Sequence, residues 1–377
     1  MEEVRALPWN GFTVASTFSG CGGSSTGYRM AGFKVVWASE FIEAARESYL
    51  ANAAPHTIVD GRDIRNVQPE DILKAAGLEV GELDLFDGSP PCASFSTAGK
   101  REKGWGKVKK YSDGAQRTDD LFFEYARLIR GLKPKTFVAE NVSGLVKGTA
   151  KGYFLEILRE LKSCGYRVTC RVLDAQWLGV PQARQRTIFV GVREDLGLDP
   201  VHPKPLPYRY SVRDALPWIN RVVHDTSGLY GAGDVTNRPS PAITVGVNSV
   251  NSLHFKVDGP EPETDISRYA IGKEWDKLKP GQQSDRYFNL VRTHPDQPSP
   301  TVCGSHGNLS TAGITHPTEK RKFTIAELRR LCGFPDDFIL KGTYAQQWER
   351  CGRAVPPVMM SHIAAAVRDE ILAKIPR

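Results

Sequence analysis

A doubly wound α/β sheet joined to a smaller, irregular second domain is the fold this chain of 377 residues predicts. Three observations lead there. Short apolar runs alternate with helical periods through the first half, a glycine turn separates the first strand from the first helix, and after about residue 192 the alternation gives way to scattered prolines.

Residues 12–15 form the first apolar run and lead through Ser16 and Thr17 to Phe18 and the turn Ser19-Gly20-Cys21-Gly22-Gly23, with a helix expected over 26–31. Strand, glycine turn and helix start together suit an anionic or adenosyl ligand, because glycine lets the backbone approach closely and a helix start offers unpaired N–H groups. A tight turn that only packs helix on strand would read the same way. A second strand over 33–38 ends at Glu40, at the spacing where dinucleotide folds place a ribose-binding acid. A third unit runs through Ile58 and Val59 to Asp63 and Ile64. The next apolar run, 83–86, stops at Asp87-Gly88-Ser89-Pro90-Pro91, because proline cannot donate to a ladder, and Cys92 is left on a stiff turn at a strand's carboxyl end. A helix from Leu121 buries one face through Leu121, Tyr125, Leu128 and Leu132, with Phe122 and Ile129 beside them. Strands over 136–139, 167–172 and 187–192 and a helix over 154–161 complete the expected first domain, residues 1–192.

Prolines at 200, 203, 205, 207, 217, 239, 241, 260 and 262 then break the chain, and Pro-Ser-Pro occurs twice, at 239–241 and 298–300. Loop-rich sequence of this kind suits a recognition domain, placed at 193–345. Thr324 followed by Glu327 reads as a capping box. After Pro356 and Pro357, apolar residues at 359, 363, 367 and 371 predict a helix, and residues 346–377 are expected to return to the first domain.

Composition narrows the class. Hydrophobic content of 40% and charged content of 25% are those of a globular chain. No apolar run reaches the length of a membrane helix and the first residues do not resemble a signal peptide, so a cytoplasmic protein without membrane contact is expected. Seven cysteines without Cys-x-x-Cys spacing, and eight histidines without a His-Glu-x-x-His helix, predict no metal site. The net charge of +7 suits a polyanion. Lys100, Arg101, Lys103, Lys107, Lys109, Lys110 and Arg117 crowd one segment opposed only by Glu102 and Asp113.

Pro91-Cys92-Ala93-Ser94-Phe95-Ser96 resembles the nucleophile motif of the cytosine-C5 DNA methyltransferases. Phe18-Ser19-Gly20-Cys21-Gly22-Gly23, Glu140-Asn141-Val142, Gln182-Ala183-Arg184-Gln185-Arg186, the run 321–338 and Gly352-Arg353-Ala354-Val355-Pro356-Pro357 resemble further motifs of that family, in the family's order. The resemblance covers nearly the whole chain. It implies a Rossmann-like methyltransferase fold, S-adenosylmethionine as donor and double-stranded DNA as partner, bound by a monomer. It assigns catalysis to Cys92, Glu140, Arg184 and Arg186. It assigns the donor to Phe18, Ser19, Gly20, Cys21, Gly22, Gly23, Glu40 and Phe41, to Asp63 and Ile64, to Asp87 and Pro91, and to Leu121, Arg353 and Ala354.

Cytosine C5 is a poor nucleophile, so the ring must first become electron-rich. A thiolate adding to C6 does this, and an acid at N3 draws density the required way. Cys92 and Glu140 fit those roles, and Arg184 and Arg186, two apart on a strand, would hold the base O2, a phosphate and the carboxylate. A base inside a duplex must be flipped out to be reached, and the basic segment from Thr97 to Arg117 is expected to close over it.

Three positions depart from the family pattern: Ala93 for a common Gln, Ser16 for a frequent acid and Arg353 for the Asn of Gly-Asn-Ala-Val. The last two make the donor end of the pocket more positive, which a sulfonium disfavours. Either Arg353 turns away, to a phosphate or to Asp87, or the donor carries an extra anion, as carboxy-S-adenosylmethionine does, and the product is carboxymethylcytosine. The same residues are compatible with a tRNA cytosine-C5 methyltransferase, expected to have a smaller recognition region, and with a non-catalytic DNA-binding relative.

Overall fold

The computed structural model describes residues 1–91, 109–111, 114–116, 121–146, 151–217, 219 and 264–376. The elements of the first half are α1 (Glu2–Ala6), β1 (Thr13–Thr17), α2 (Gly23–Met30), β2 (Lys34–Ser39), α3 (Glu43–Asn52), β3 (Ile58–Asp60), α4 (Pro69–Ala76) and β4 (Leu85–Gly88). A small antiparallel pair follows, β5 (Lys109–Tyr111) with β6 (Gly114–Gln116). Then come α5 (Leu121–Leu132), β7 (Thr136–Val142), α6 (Lys151–Ser163), β8 (Tyr166–Asp174) and β9 (Gln185–Arg193). The second half holds α7 (Val212–Ala215), α8 (Ala270–Trp275), β10 (Val291–Arg292), β11 (Ile314–Thr315), α9 (Ile325–Leu331), α10 (Tyr344–Arg353) and α11 (Pro357–Glu370).

Seven strands form one sheet in the order β3-β2-β1-β4-β7-β9-β8. The pairs from β3 to β7 are parallel, and β9 runs antiparallel to both of its neighbours. The chain leaves β1 toward β2 and β3, then returns to the other side of β1 with β4. Strand order therefore reverses between β1 and β4, and at such a switch the carboxyl ends of the strands open a crevice.

Side chains alternate across the sheet, so consecutive residues supply different cores. Val14, Leu85 and Val138 face a layer with Tyr28 of α2 and Val358, Met359 and Ile363 of α11. Their neighbours Ala15, Phe86 and Phe137 face α4, α5 and α6. The expected face of α5, from Leu121 to Leu132, is fully buried there. The last helix does return to the first domain, against α2. A Cβ on Gly27 would lie 2.5 Å from the Pro357 carbonyl oxygen and 2.6 Å from the Met360 Cβ, so the two helices cross where α2 has no side chain.

A third core joins Val212 and Leu216 to Val302, Ile314, Phe323, Leu328 and Trp348. The expected capping box forms: Glu327 N donates to Thr324 Oγ1 at 3.2 Å and Thr324 N to Glu327 Oε2 at 2.8 Å. The boundary expected at 345 falls inside this core, which takes in Trp348 and Cys351 of α10. The first Pro-Ser-Pro copy lies outside the described residues. The second pairs by a single bridge, Ser299 with Gln182. Among the described residues no helix is long and apolar enough to cross a membrane.

The α2–α11 crossing gives a test. In an open helix Gly→Ala stabilises by about 1 kcal/mol. Here the methyl has no room, and Gly27→Ala is expected to destabilise instead, by about 1–3 kcal/mol. Urea unfolding of both proteins reads the sign.

Candidate active site

The reaction edge is built by β7 and β9. Glu140 lies opposite Ile188 and Val142 opposite Arg186, so Glu140 and Arg186 are diagonal neighbours on one face. Arg186 Nε meets Glu140 Oε1 at 2.7 Å, with Glu140 8% exposed. Arg186 Nη1 donates to the Gln185 carbonyl, which fixes the guanidinium's tilt. Beside this pair, Asn141 Nδ2 donates to the Pro90 carbonyl at 3.1 Å, gripping the exit of β4 immediately before Pro91. Sequence reasoning assigns Asn141 no role of its own; it is the side chain that sets where the Pro90-Pro91 turn leaves the sheet. Cys92, Ala93 and the basic segment lie outside the described residues, apart from the β5–β6 backbone.

Arg184 behaves differently from Arg186. It precedes β9, is 1% exposed, and donates to three backbone carbonyls: Val302 at 3.1 Å, Gly352 at 2.8 Å and Ala354 at 3.0 Å. Burial, then the neighbouring Arg186, lowers its pKa to about 9. The expectation that it holds base or phosphate is thus corrected: its donors tie the start of β9 to the α10–α11 junction. Gln182 is fully buried in the same way, donating to the Leu331 carbonyl at 3.1 Å and accepting from Val302 N at 3.2 Å.

Phe18 to Gly23, Glu40, Phe41, Asp63 and Ile64, which the resemblance assigns to the donor, gather where β1, β2 and β3 end. Phe18 takes a left-handed φ of +53°, a strained conformation for a bulky residue. Gly22, at φ +99°, starts α2, and Gly20 faces open space on its Cβ side. Glu40 accepts from Gly20 N at 2.8 Å and from Ile42 N at 2.7 Å, which holds the carboxylate under the glycine turn. Its pKa is raised, chiefly by burial. Phe41 is 42% exposed beside it. Asp63 accepts from Arg65 N at 3.0 Å and leads to buried Ile64. Ser19 is held by its N–H on the Ser39 carbonyl at 2.9 Å. Strain, open space and a fixed acid together make a cradle that fits an adenosyl donor.

Three donor assignments are corrected by burial. Leu121 is fully buried in the α5 core, and Cys21 is 2% exposed, its pKa pushed up to about 12 by burial. Asp87 is 1% exposed and has both oxygens engaged, accepting from Ser16 Oγ at 2.7 Å and Tyr28 OH at 3.0 Å. None of the three has surface to touch a ligand. Arg353 is the last residue of α10 and pairs with Glu349 one turn earlier, Nη2 to Oε1 at 2.7 Å, not with Asp87. The junction after it sits on the glycine turn: a Cβ on Gly23 would lie 3.2 Å from the Ala354 Cβ and 2.3 Å from the Val355 carbonyl oxygen.

Burial raises the Asp87 pKa to about 7, and the charge of Glu140 adds to the effect. Because the folded value exceeds the unfolded one, ionisation costs stability: the cost is complete above pH 7 and disappears as pH falls toward 4. Asp87→Asn is therefore expected to be more stable than the parent at pH 8, by at most about 4 kcal/mol. At pH 5 the gap should nearly close. Thermal melts of both proteins at the two pH values check this.

Comparison with known proteins shows the family and the fold. A Type II methyltransferase of Neisseria gonorrhoeae, M.NgoFVII, is 32% identical over 358 residues, covering 94% of this chain and 86% of that protein. M.NgoPII of the same organism is 30% identical over 373 residues, covering 98% and 99%. Among solved structures, a protein described as a DNA modification methyltransferase encoded within a prophage of E. coli superposes with TM-score 0.69 at 22% identity, covering 96% of this chain and 99% of that one. The Dnmt2 of Spodoptera frugiperda superposes with TM-score 0.61 at 17% identity, covering 95% and 100%. These two likenesses are of fold. The model of the C-5 cytosine-specific DNA methylases matches residues 12–369, and the chain belongs to that family.

Proposed function

We propose that Cys92, Glu140 and Arg186 carry out the reaction of this DNA cytosine-C5 methyltransferase on a cytosine flipped out of duplex DNA. The Cys92 thiolate adds to C6, the electron pair displaced onto the ring makes C5 nucleophilic, and after methyl transfer loss of the C5 proton to a base restores the C5–C6 double bond and expels the thiolate. The Glu140 carboxyl donates a proton to N3, which stabilises the density that builds there. Arg186 fixes the Glu140 carboxylate and leaves N–H groups for the base O2. S-adenosylmethionine, when bound, supplies an electrophilic methyl group on a sulfonium. Phe18, Glu40, Phe41, Asp63 and Ile64 would hold it, with Ser19, Gly20, Gly22 and Gly23 shaping the turn, Pro91 on the side of the base and Ala354 closing over Gly23. The observation that carries this reading is the Arg186–Glu140 pair at 2.7 Å, at the end of the strand next to the Pro90-Pro91 turn.

Membership of a DNA methylase family favours DNA over tRNA and an enzyme over a non-catalytic relative. Type II relatives point to a modification role. Residues 193–345 would read the site, a monomer would suffice for one flipped base, and the work would be done at the nucleoid or on an infecting genome.

Arg353 keeps a second donor in view. Its side chain is 47% exposed, beside the junction that seats on the glycine turn, and a guanidinium there could bind the extra carboxylate of carboxy-S-adenosylmethionine. Its pairing with buried Glu349 favours the ordinary donor, because the added positive charge is already balanced. Mass spectrometry of nucleosides from DNA treated with each donor in turn is expected to show 5-methylcytosine alone. A carboxymethyl product from the parent that Arg353→Asn does not make would reverse this choice.

Duplex DNA carrying 5-fluorocytosine tests the covalent step. The parent is expected to form a stable adduct, Cys92→Ser none, and Glu140→Gln to form it roughly 10²–10⁴-fold more slowly. An undiminished adduct with Cys92→Ser would refute the scheme.

A further inference from the structure

We propose that Asp87 is the counter-charge to the donor's sulfonium, acting through Ser16, and that it makes the protein favour the charged donor over its neutral product, S-adenosylhomocysteine. The proposal rests on the reading of the sheet's switch point as the donor site.

Topology places the charge. Glu40 ends β2 on one side of the switch; Pro91 follows β4, and Glu140 ends β7, on the other. A donor reaching from Glu40 to a base beside Glu140 must carry its sulfur over the ends of β1 and β4. Ser16 of β1 and Asp87 of β4 are register partners there. Ser16 Oγ donates to Asp87 Oδ2 at 2.7 Å, and Ser19 Oγ lies 3.0 Å from both Ser16 Oγ and the Ser16 carbonyl oxygen. The Ser16 hydroxyl spends its proton on the carboxylate, which leaves its oxygen lone pairs toward Ser19 and the glycine turn. Ser16 is itself fully buried, so the charge acts across it through space toward the glycine turn and not by contact.

Among the described residues, the surroundings of Asp87 supply no balancing cation. Facing it are the Ser16 hydroxyl from β1, the Tyr28 hydroxyl from α2, the more distant Tyr49 of α3 and Tyr125 of α5, and the Glu140 carboxylate of β7. No ion pair to Asp87 occurs among the described residues. A buried carboxylate without a cation is costly, and a cationic ligand above it removes that cost. A negative charge here holds the sulfonium form and releases the thioether that remains after transfer, which limits product inhibition. The carboxyl pKa of about 7 adds that the preference is present above pH 7 and fades as pH falls below it.

Calorimetry of the full chain with S-adenosylmethionine and S-adenosylhomocysteine, separately, at pH 8 tests this without turnover. Asp87→Asn is expected to weaken the donor roughly tenfold and the product less than about twofold. The swap Ser16→Asp with Asp87→Ser, which returns a carboxylate to β1, is expected to restore the preference. The parent should also release a proton on binding the donor near pH 7, seen as a buffer-dependent heat, and should not with the product. Equal weakening of both ligands, or no change in their ratio, would overturn the proposal. A parent that binds neither ligand would instead refute the donor site itself.

Discussion

The diagonal ion pair between Glu140 and Arg186 ties the reaction edge to the architecture of the sheet. A carboxylate buried to this degree is costly unless its charge is met with good geometry, and a planar guanidinium in an adjacent strand provides that. The pairing requires β9 to run antiparallel to β7, because only then does a residue at the start of β9 face the end of β7. Reversing that one strand relative to the parallel set puts an arginine beside an acid at the carboxyl edge. The other groups assemble around this point: the Pro90-Pro91 turn through Asn141, and the donor cradle through the strands on the far side of the switch.

Around that edge lies a set of buried side chains whose hydrogen bonds hold the surrounding backbone. Arg184 clamps three carbonyls, Gln182 joins the approach to β9 with Leu331 and Val302, and Asn141 holds Pro90. Each is a long or branched polar group whose hydrogen bonds go to backbone, where a lost partner leaves a buried carbonyl or N–H unsatisfied. These bonds, and Ser299 beside Gln182, join the second half of the chain to the sheet.

How much the residues alone reveal is clearest from particular elements. Strands β1, β2, β4, β7, β8 and β9 and helices α2, α5, α6 and α11 follow from alternation and period. Helices α3 and α4 escape it, because Glu43–Asn52 buries only Ala45, Ser48, Tyr49 and Asn52, and Pro69–Ala76 little beyond Ile72 and Leu73. The direction of β9 is not written in its periodicity. By spacing Arg184 looks like a strand partner of Arg186, but the strand starts one residue later and alternation does not extend to it. A charge count at the donor end made from motif positions takes in Ser16 and Arg353 alone. Asp87, 71 residues away from Ser16, cannot be placed without the sheet register. Glu349 can be: it stands four residues before Arg353 in a helical segment, the spacing at which side chains pair.

If Glu140 and Arg186 work as one unit, their effects on the reaction cannot be independent. A double-mutant cycle on the single-turnover rate, with Glu140→Gln, Arg186→Gln and the double variant on the same DNA, measures this most directly. The Arg186 substitution should cost far less once Glu140 is already changed, so that the double variant is little slower than Glu140→Gln alone. Strictly multiplicative losses would show that the two residues act separately and contradict the account.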